Sequence, residues 1–316
     1  MSRQPSICFE QSPAMIVFRR TAGDANRLLN TLLVGLETLK HNAPVKPTDF
    51  VLAWSKPATP GEWLETRNFA LRGTMVAVVD ALDRYLRILS RIPGLTAQEL
   101  DDTLNGRRDP KIDRRPTVSE RVASLCAHYG GAVSPAYPLA VGLLVAWRNR
   151  FVHSEPKGGL SRSQSLELVN YAKFFEEQFG KADIKAALKR YAAREAPTLR
   201  DLSTLVAASQ RLVTDIDAHI LHLQDPETYV VSLTRYLLYA SEDPAAELER
   251  IFFRGGVGAA GRVHAMLLEH GGNHSLNRRQ SALRLSRIRL NGVLGIGRNE
   301  AAQLFGIQRP TTGPGV

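Results

Sequence analysis

Cysteine is nearly absent. The chain of 316 residues has only Cys8 and Cys126, and neither falls in a CxxC or Cys/His ligand spacing. That usage argues against a disulfide framework and a zinc site, and both thiols are expected to be reduced, as in a cytosolic protein. Long apolar runs are missing too. The opening MSRQPSICFEQSP has no continuous apolar stretch of the signal-peptide kind, and no run approaches the ~20 residues that span a bilayer. A soluble, cytoplasmic protein without membrane contact is therefore expected. Internal repeats and low-complexity tracts are absent apart from a Pro/Gly tail, RPTTGPGV (309–316), which is expected to be disordered. Lysine is missing from residues 250–309, where ten arginines face two acids, a net of +8 out of +10 for the whole chain. Such an excess attracts polyanions, and the planar guanidinium fork suits phosphate. A solvated helix face is the alternative reading of any one such run.

An apolar fraction of 44% and a charged fraction of 23% are ordinary for a globular chain, and the length allows one or two cores. Helical periodicity dominates. Leucines at 28, 29, 32, 33, 36 and 39 mark a helix over 24–42, and 69–89, 117–129, 137–153, 163–179, 183–193 and 201–223 read as further helices. The third of these seven opens on TVSE, a capping box. Met15 to Phe18 reads as a short strand, FVLAW (50–54) as another, and 43–66 as a connection. QDPET (224–228) suggests a boundary, giving a helical bundle over 1–224 and a smaller, basic, mainly helical domain over 225–308. Beyond the boundary, helices are expected at 229–240, from Asp243-Pro244 to 253, and at 259–270, 276–294 and 299–305. The fold class is all-α.

Several motifs carry potential chemistry. GRRDPKIDRRP (106–116) reads as a basic loop, making Arg107, Arg108, Arg114 and Arg115 candidates for nucleic-acid contact. Arg278, Arg279, Arg284, Arg287 and Arg289 precede LGIGRNEAAQLFGIQ, which has the look of half a helix-turn-helix, and join that set. GVGAAG (256–261) fits a dinucleotide fingerprint, yet too little chain follows to build the sheet, so a helix connection is the better reading. His264, His270 and His274 lack a completed ligand set, and neither metal nor cofactor is expected.

The most informative stretch is WRNRFVHSE (147–155). Asn149 and His153 are four residues apart and share a helical face, with Arg148 beside them. Imidazole is the group that moves a proton near neutral pH, while guanidinium keeps its charge. Arg followed several residues later by His is a weak pattern, and Arg121 to His128 matches it as well. Requiring Asn directly after Arg leaves only the site at 148.

At these residues RNRFVH resembles the Arg-Asn-x-x-x-His signature of the HEPN superfamily, all-helical domains of prokaryotic toxin, abortive-infection and CRISPR-associated ribonucleases. The resemblance implies a HEPN-like bundle, metal-independent RNA cleavage to 2′,3′-cyclic phosphate and 5′-OH ends, and a role in anti-phage defence or a toxin system. It implies His153 as general base or acid, Arg148 as stabiliser of the phosphorane oxygens, and Asn149 as the group orienting His153 or holding the phosphate. Asp80 would support Arg148. A homodimer with a composite site is implied, since one imidazole does not easily act as base and acid together, and the apolar helix 137–152 is the candidate dimer face. RNA is the expected partner, with a cognate antitoxin or trigger protein beside it. Two other readings remain: a non-catalytic nucleic-acid-binding or regulatory protein, and an interaction scaffold.

Overall fold

The computed structural model describes residues 7–41, 59–108, 113–152, 159–180, 182–253, 259–273, 283–285 and 296–307. The chain enters through a short strand, β1 (Ile7–Phe9), and turns at Ser12 into α1 (Pro13–His41). Met15, Phe18, Ala22 and Leu29 are the buried positions of α1, a helical spacing, so the segment expected as a strand at Met15 to Phe18 is instead the first turn of this helix. A short apolar run is ambiguous between the two periods, and the cap decides. Ser12 Oγ accepts the Met15 N–H at 3.2 Å.

α2 (Pro60–Leu89) packs along α1. It starts nine residues before the helix expected at 69, because Thr59 and Glu62 form a capping box with Pro60 at N1. There follow α3 (Gln98–Leu104), which had no sequence expectation, and α4 (Val118–His128), whose Thr117/Glu120 capping box realises TVSE. α5 (Ala136–Val152) is apolar nearly all round and is the central helix, packed on α9, α4 and α2. Trp147 is fully buried and donates its indole N–H to the Glu195 carbonyl at 3.2 Å. The apolar length of α5, expected as a dimer face, is therefore enclosed by its own chain.

The helix expected over 163–179 is two helices, α6 (Arg162–Asn170) and α7 (Ala172–Phe179), separated at Tyr171. α8 (Ile184–Ala192) and the long α9 (Leu199–His222) complete this half. At residue 224 the chain turns into α10 (Pro226–Tyr239), capped by Asp225, and then α11 (Pro244–Phe252), capped by Asp243 with Pro244 at N1. α12 (Ala259–Glu269), β2 (Gly272–Asn273), β3 (Leu283–Leu285) and α13 (Arg298–Phe305) follow. The helix expected over 276–294 is contradicted at 283–285, where the alternating Leu-Arg-Leu pairs as a strand.

The sheet has the order β2-β1-β3, both neighbours antiparallel to β1, with Cys8 opposite Asn273 on one side and Arg284 on the other. The first strand is thus held between two from the far end of the chain. Apart from this sheet the described residues are predominantly helical. Buried side chains from α1, α2, α5, α9, α10, α12 and α13 belong to one continuous apolar cluster. No helix among the described residues is long and apolar enough to cross a membrane.

Candidate functional site

α5 is buried up to Trp147, and its last turn emerges at the edge of the bundle, so the two arginines flanking Asn149 separate. Arg150 turns toward α8, donates to the Tyr191 carbonyl and lies 3.8 Å from the Tyr191 ring centroid. This cation–π contact makes Arg150 a structural residue. Arg148 turns the other way, into a cleft of about 780 Å³ between α2, α4 and α5, within the ~300–1,000 Å³ usual for small-ligand sites. Its Nη1 donates to Asn149 Oδ1 at 3.2 Å, and its Nη2 stands 3.7 Å from Asp80 Oδ1. Asp80 thus meets Arg148 as the sequence suggested. His153 lies outside the described residues, one position beyond the last of α5.

The opposite wall comes from α2 and the start of α4. Asp83 and Arg87, three and seven residues after Asp80, share its face of α2. Asp83 accepts from Arg87 Nε at 2.7 Å and from Arg121, which also donates to the Leu104 carbonyl. Burial pushes the Asp83 carboxyl up, but the hydrogen bonds from Arg87 and Arg121 outweigh it and hold the group below its ordinary range. Arg121 is only 2% exposed, and burial draws its guanidinium pKa down. Removing Asp83 would strand a buried cation, a change that typically costs about 3–5 kcal/mol. The second Arg-to-His match is explained here: Arg121 is built into the core and His128 lies 3.7 Å from Glu99.

The loop cluster divides in the same way. Arg107 pairs with Asp102 at 2.6 Å, Arg108 with Asp113 at 2.8 Å, and Arg114 with Glu120 at 2.8 Å. The hydrogen bond from Arg114, with those of Thr117, lowers the Glu120 carboxyl to about 2. Arg115 is exposed, has no acidic partner among the described residues, and lines the cleft that holds Arg148 and Asn149. Arg115, Thr117 and Asn149 also border an adjoining cavity of about 430 Å³. The main cleft is lined by Arg87, Arg115, Arg121 and Arg148 against Asp80 and Asp83, a net of +2. Low-dielectric walls concentrate such a field on an anion.

Arg278, Arg279, Arg287 and Arg289 lie outside the described residues, as do the first three residues of GVGAAG, the FVLAW stretch and the tail, while residues 259–261 open α12. Arg284 is placed only by its backbone, opposite Cys8 in β3. Among the described residues no three His, Cys, Asp or Glu side chains gather as a metal-ligand set. Asp83, Arg87 and Arg121 were missed as cleft residues. The spacing 80/83/87 on α2 was the available signal for the first two, whereas only the packing of α4 on α2 reveals Arg121.

Comparison with known proteins gives no matching family model and no significantly similar curated protein or solved structure.

Proposed function

We propose that the protein is a metal-independent endoribonuclease with a HEPN-like helical bundle, acting in bacterial defence or a toxin system. The observation that carries this reading is the convergence of Arg148, Asn149 and Asp80 on one cationic cleft, from two separate stretches of sequence. In the reaction the RNA 2′-oxygen attacks the adjacent phosphorus and loses its proton to a base. The P–O5′ bond then breaks, and the departing 5′-oxygen takes a proton from an acid. A 2′,3′-cyclic phosphate and a 5′-OH remain.

Arg148 stabilises the charge that builds on the non-bridging oxygens, with Asp80 fixing the direction of its guanidinium. Asn149 orients His153 or donates to the phosphate, and His153 moves the proton, a role worth ~10²–10⁴ in rate. A second imidazole comes from another copy of the chain. Since the apolar part of α5 is buried, that contact must use the surface around its C-terminal end, where Val152 is exposed.

The test is cleavage of total RNA in EDTA by the wild type, Arg148→Ala and His153→Ala, with the fragment ends mapped. The expected result is cyclic phosphate ends and a loss of at least about 100-fold in both variants. Equal cutting by all three proteins would overturn the proposal. RNA binding without cutting by any of them would favour the non-catalytic binding reading.

A further inference from the structure

The nuclease reading places one phosphate at Arg148 and Asn149, which leaves the opposite wall of the cleft without a role. That wall is built as an anion site in its own right. Arg115 reaches the cleft without a carboxylate partner among the described residues, while its three neighbours in the same loop are each tied to one. Arg87 and Arg121 share the single carboxylate of Asp83, so this group of three retains one positive charge. Arg121 lines the floor, is almost fully buried, and its Nε has no hydrogen-bond acceptor. The N-terminus of α4 enters at the same wall through Thr117 and Val118, adding the positive end of a helix of 11 residues. Glu120 is the one carboxylate at that helix start, and Arg114 and the Thr117 cap engage it.

We propose that Arg115, Arg87 and the start of α4 form a second phosphate subsite, which binds the phosphate next to the scissile one. The identity of the strand as RNA rests on the nuclease reading; the subsite itself rests on the cleft. A cavity of about 780 Å³ is of a size to take a short piece of single strand. A dinucleotide carries one phosphate and cannot engage both walls. Arg115 is a binding residue in this scheme, and its loss acts on strand affinity rather than on the chemical step.

The test uses a fluorescent 2′-O-methyl oligoribonucleotide of about ten residues, a length within the range of single-strand sites, which lacks the attacking hydroxyl and stays intact. Binding to the wild type, Arg115→Ala and Arg107→Ala is measured across a salt series. Arg107→Ala removes the same charge from the same loop, but from a residue paired with Asp102. Arg115→Ala is expected to weaken binding about tenfold and reduce the salt slope by about one, with Arg107→Ala within about twofold of wild type. With cleavable RNA the loss should lie in KM, and a dinucleotide should be cut equally by wild type and Arg115→Ala.

Equal small effects of the two substitutions would overturn the subsite and leave the nuclease reading intact. A selective Arg115 effect in a protein that never cuts RNA would support the subsite and remove the nuclease reading. If the wild type binds no strand at all, both fall.

Discussion

Asp217 shows how a single buried group can set the response of this protein to pH. It lies on α9 with both carboxylate oxygens engaged: Ser12 donates its backbone N–H at 2.8 Å and its hydroxyl at 2.5 Å, and the Tyr85 hydroxyl stands at 3.4 Å. Burial nevertheless dominates and raises its pKa from 3.8 to about 6. A raised carboxyl pKa means that the folded state holds the proton more tightly than the unfolded chain does. The contribution of Asp217 is thus fully favourable below pH 3.8 and is lost as pH rises through about 6. By pH 7 the loss is on the order of 3 kcal/mol. Urea midpoints of the wild type relative to Asp217→Asn should therefore improve from pH 7 to pH 5. A relative change in the opposite direction would mean that the Ser12 hydrogen bonds, not burial, control the carboxyl.

The junction of α12 with β2 is tightly constrained by its surroundings. Gly271 has φ +109°, and a Cβ there would lie 2.1 Å from the Gln11 carbonyl oxygen. At Gly272 it would lie 2.8 Å from both Ile7 and the Leu267 carbonyl. The glycines end the helix, as the sequence suggests, and they also let the chain pass against β1. Gly271→Ala should destabilise the fold by at least about 2 kcal/mol, through a left-handed backbone conformation combined with a clash against main chain. Thermal unfolding would show it; a variant as stable as the wild type would mean that this turn relaxes freely. The cleft depends on elements in a similar way. The buried face of α5 stops at Trp147, one residue before Arg148, and the Thr117/Glu120 box, whose cap lies two residues after Arg115, fixes where α4 begins, so both arginines stand near a helix boundary.

At the scale of the whole molecule, the N-terminus closes onto the C-terminal third. β1 is the middle strand of the sheet, Phe9 meets Tyr229 edge-on at a centroid distance of 5.0 Å, and Ser12 ties the start of α1 to α9. Deleting residues 1–9 would remove the strand that β2 and β3 both pair with, along with the buried Ile7, Cys8 and Phe9. The truncated protein is expected to lose cooperative protection first in α10, α12 and the sheet, while amides of α5 and α9 stay protected longer in hydrogen exchange. Uniform loss of protection across the chain would instead show that the two halves unfold as one unit.

Read alone, the sequence yields the helical character and the capped starts of α4 and α11, at Thr117 and at Asp243-Pro244. These are local matters, set by periodicity and capping chemistry. It also singled out Arg148 and Asn149, because the motif stands at the point where an apolar helix turns polar. Packing in three dimensions adds that α5 is enclosed rather than offered to a partner, that residues 7–9 pair with strands more than 260 positions away, and that Arg115 alone of its loop cluster reaches the cleft without a carboxylate partner among the described residues. The physical reason is the same in each case. Burial, strand pairing and charge neutralisation depend on which distant residues meet, and one chain's pattern records its own periodicity but not its neighbours in space.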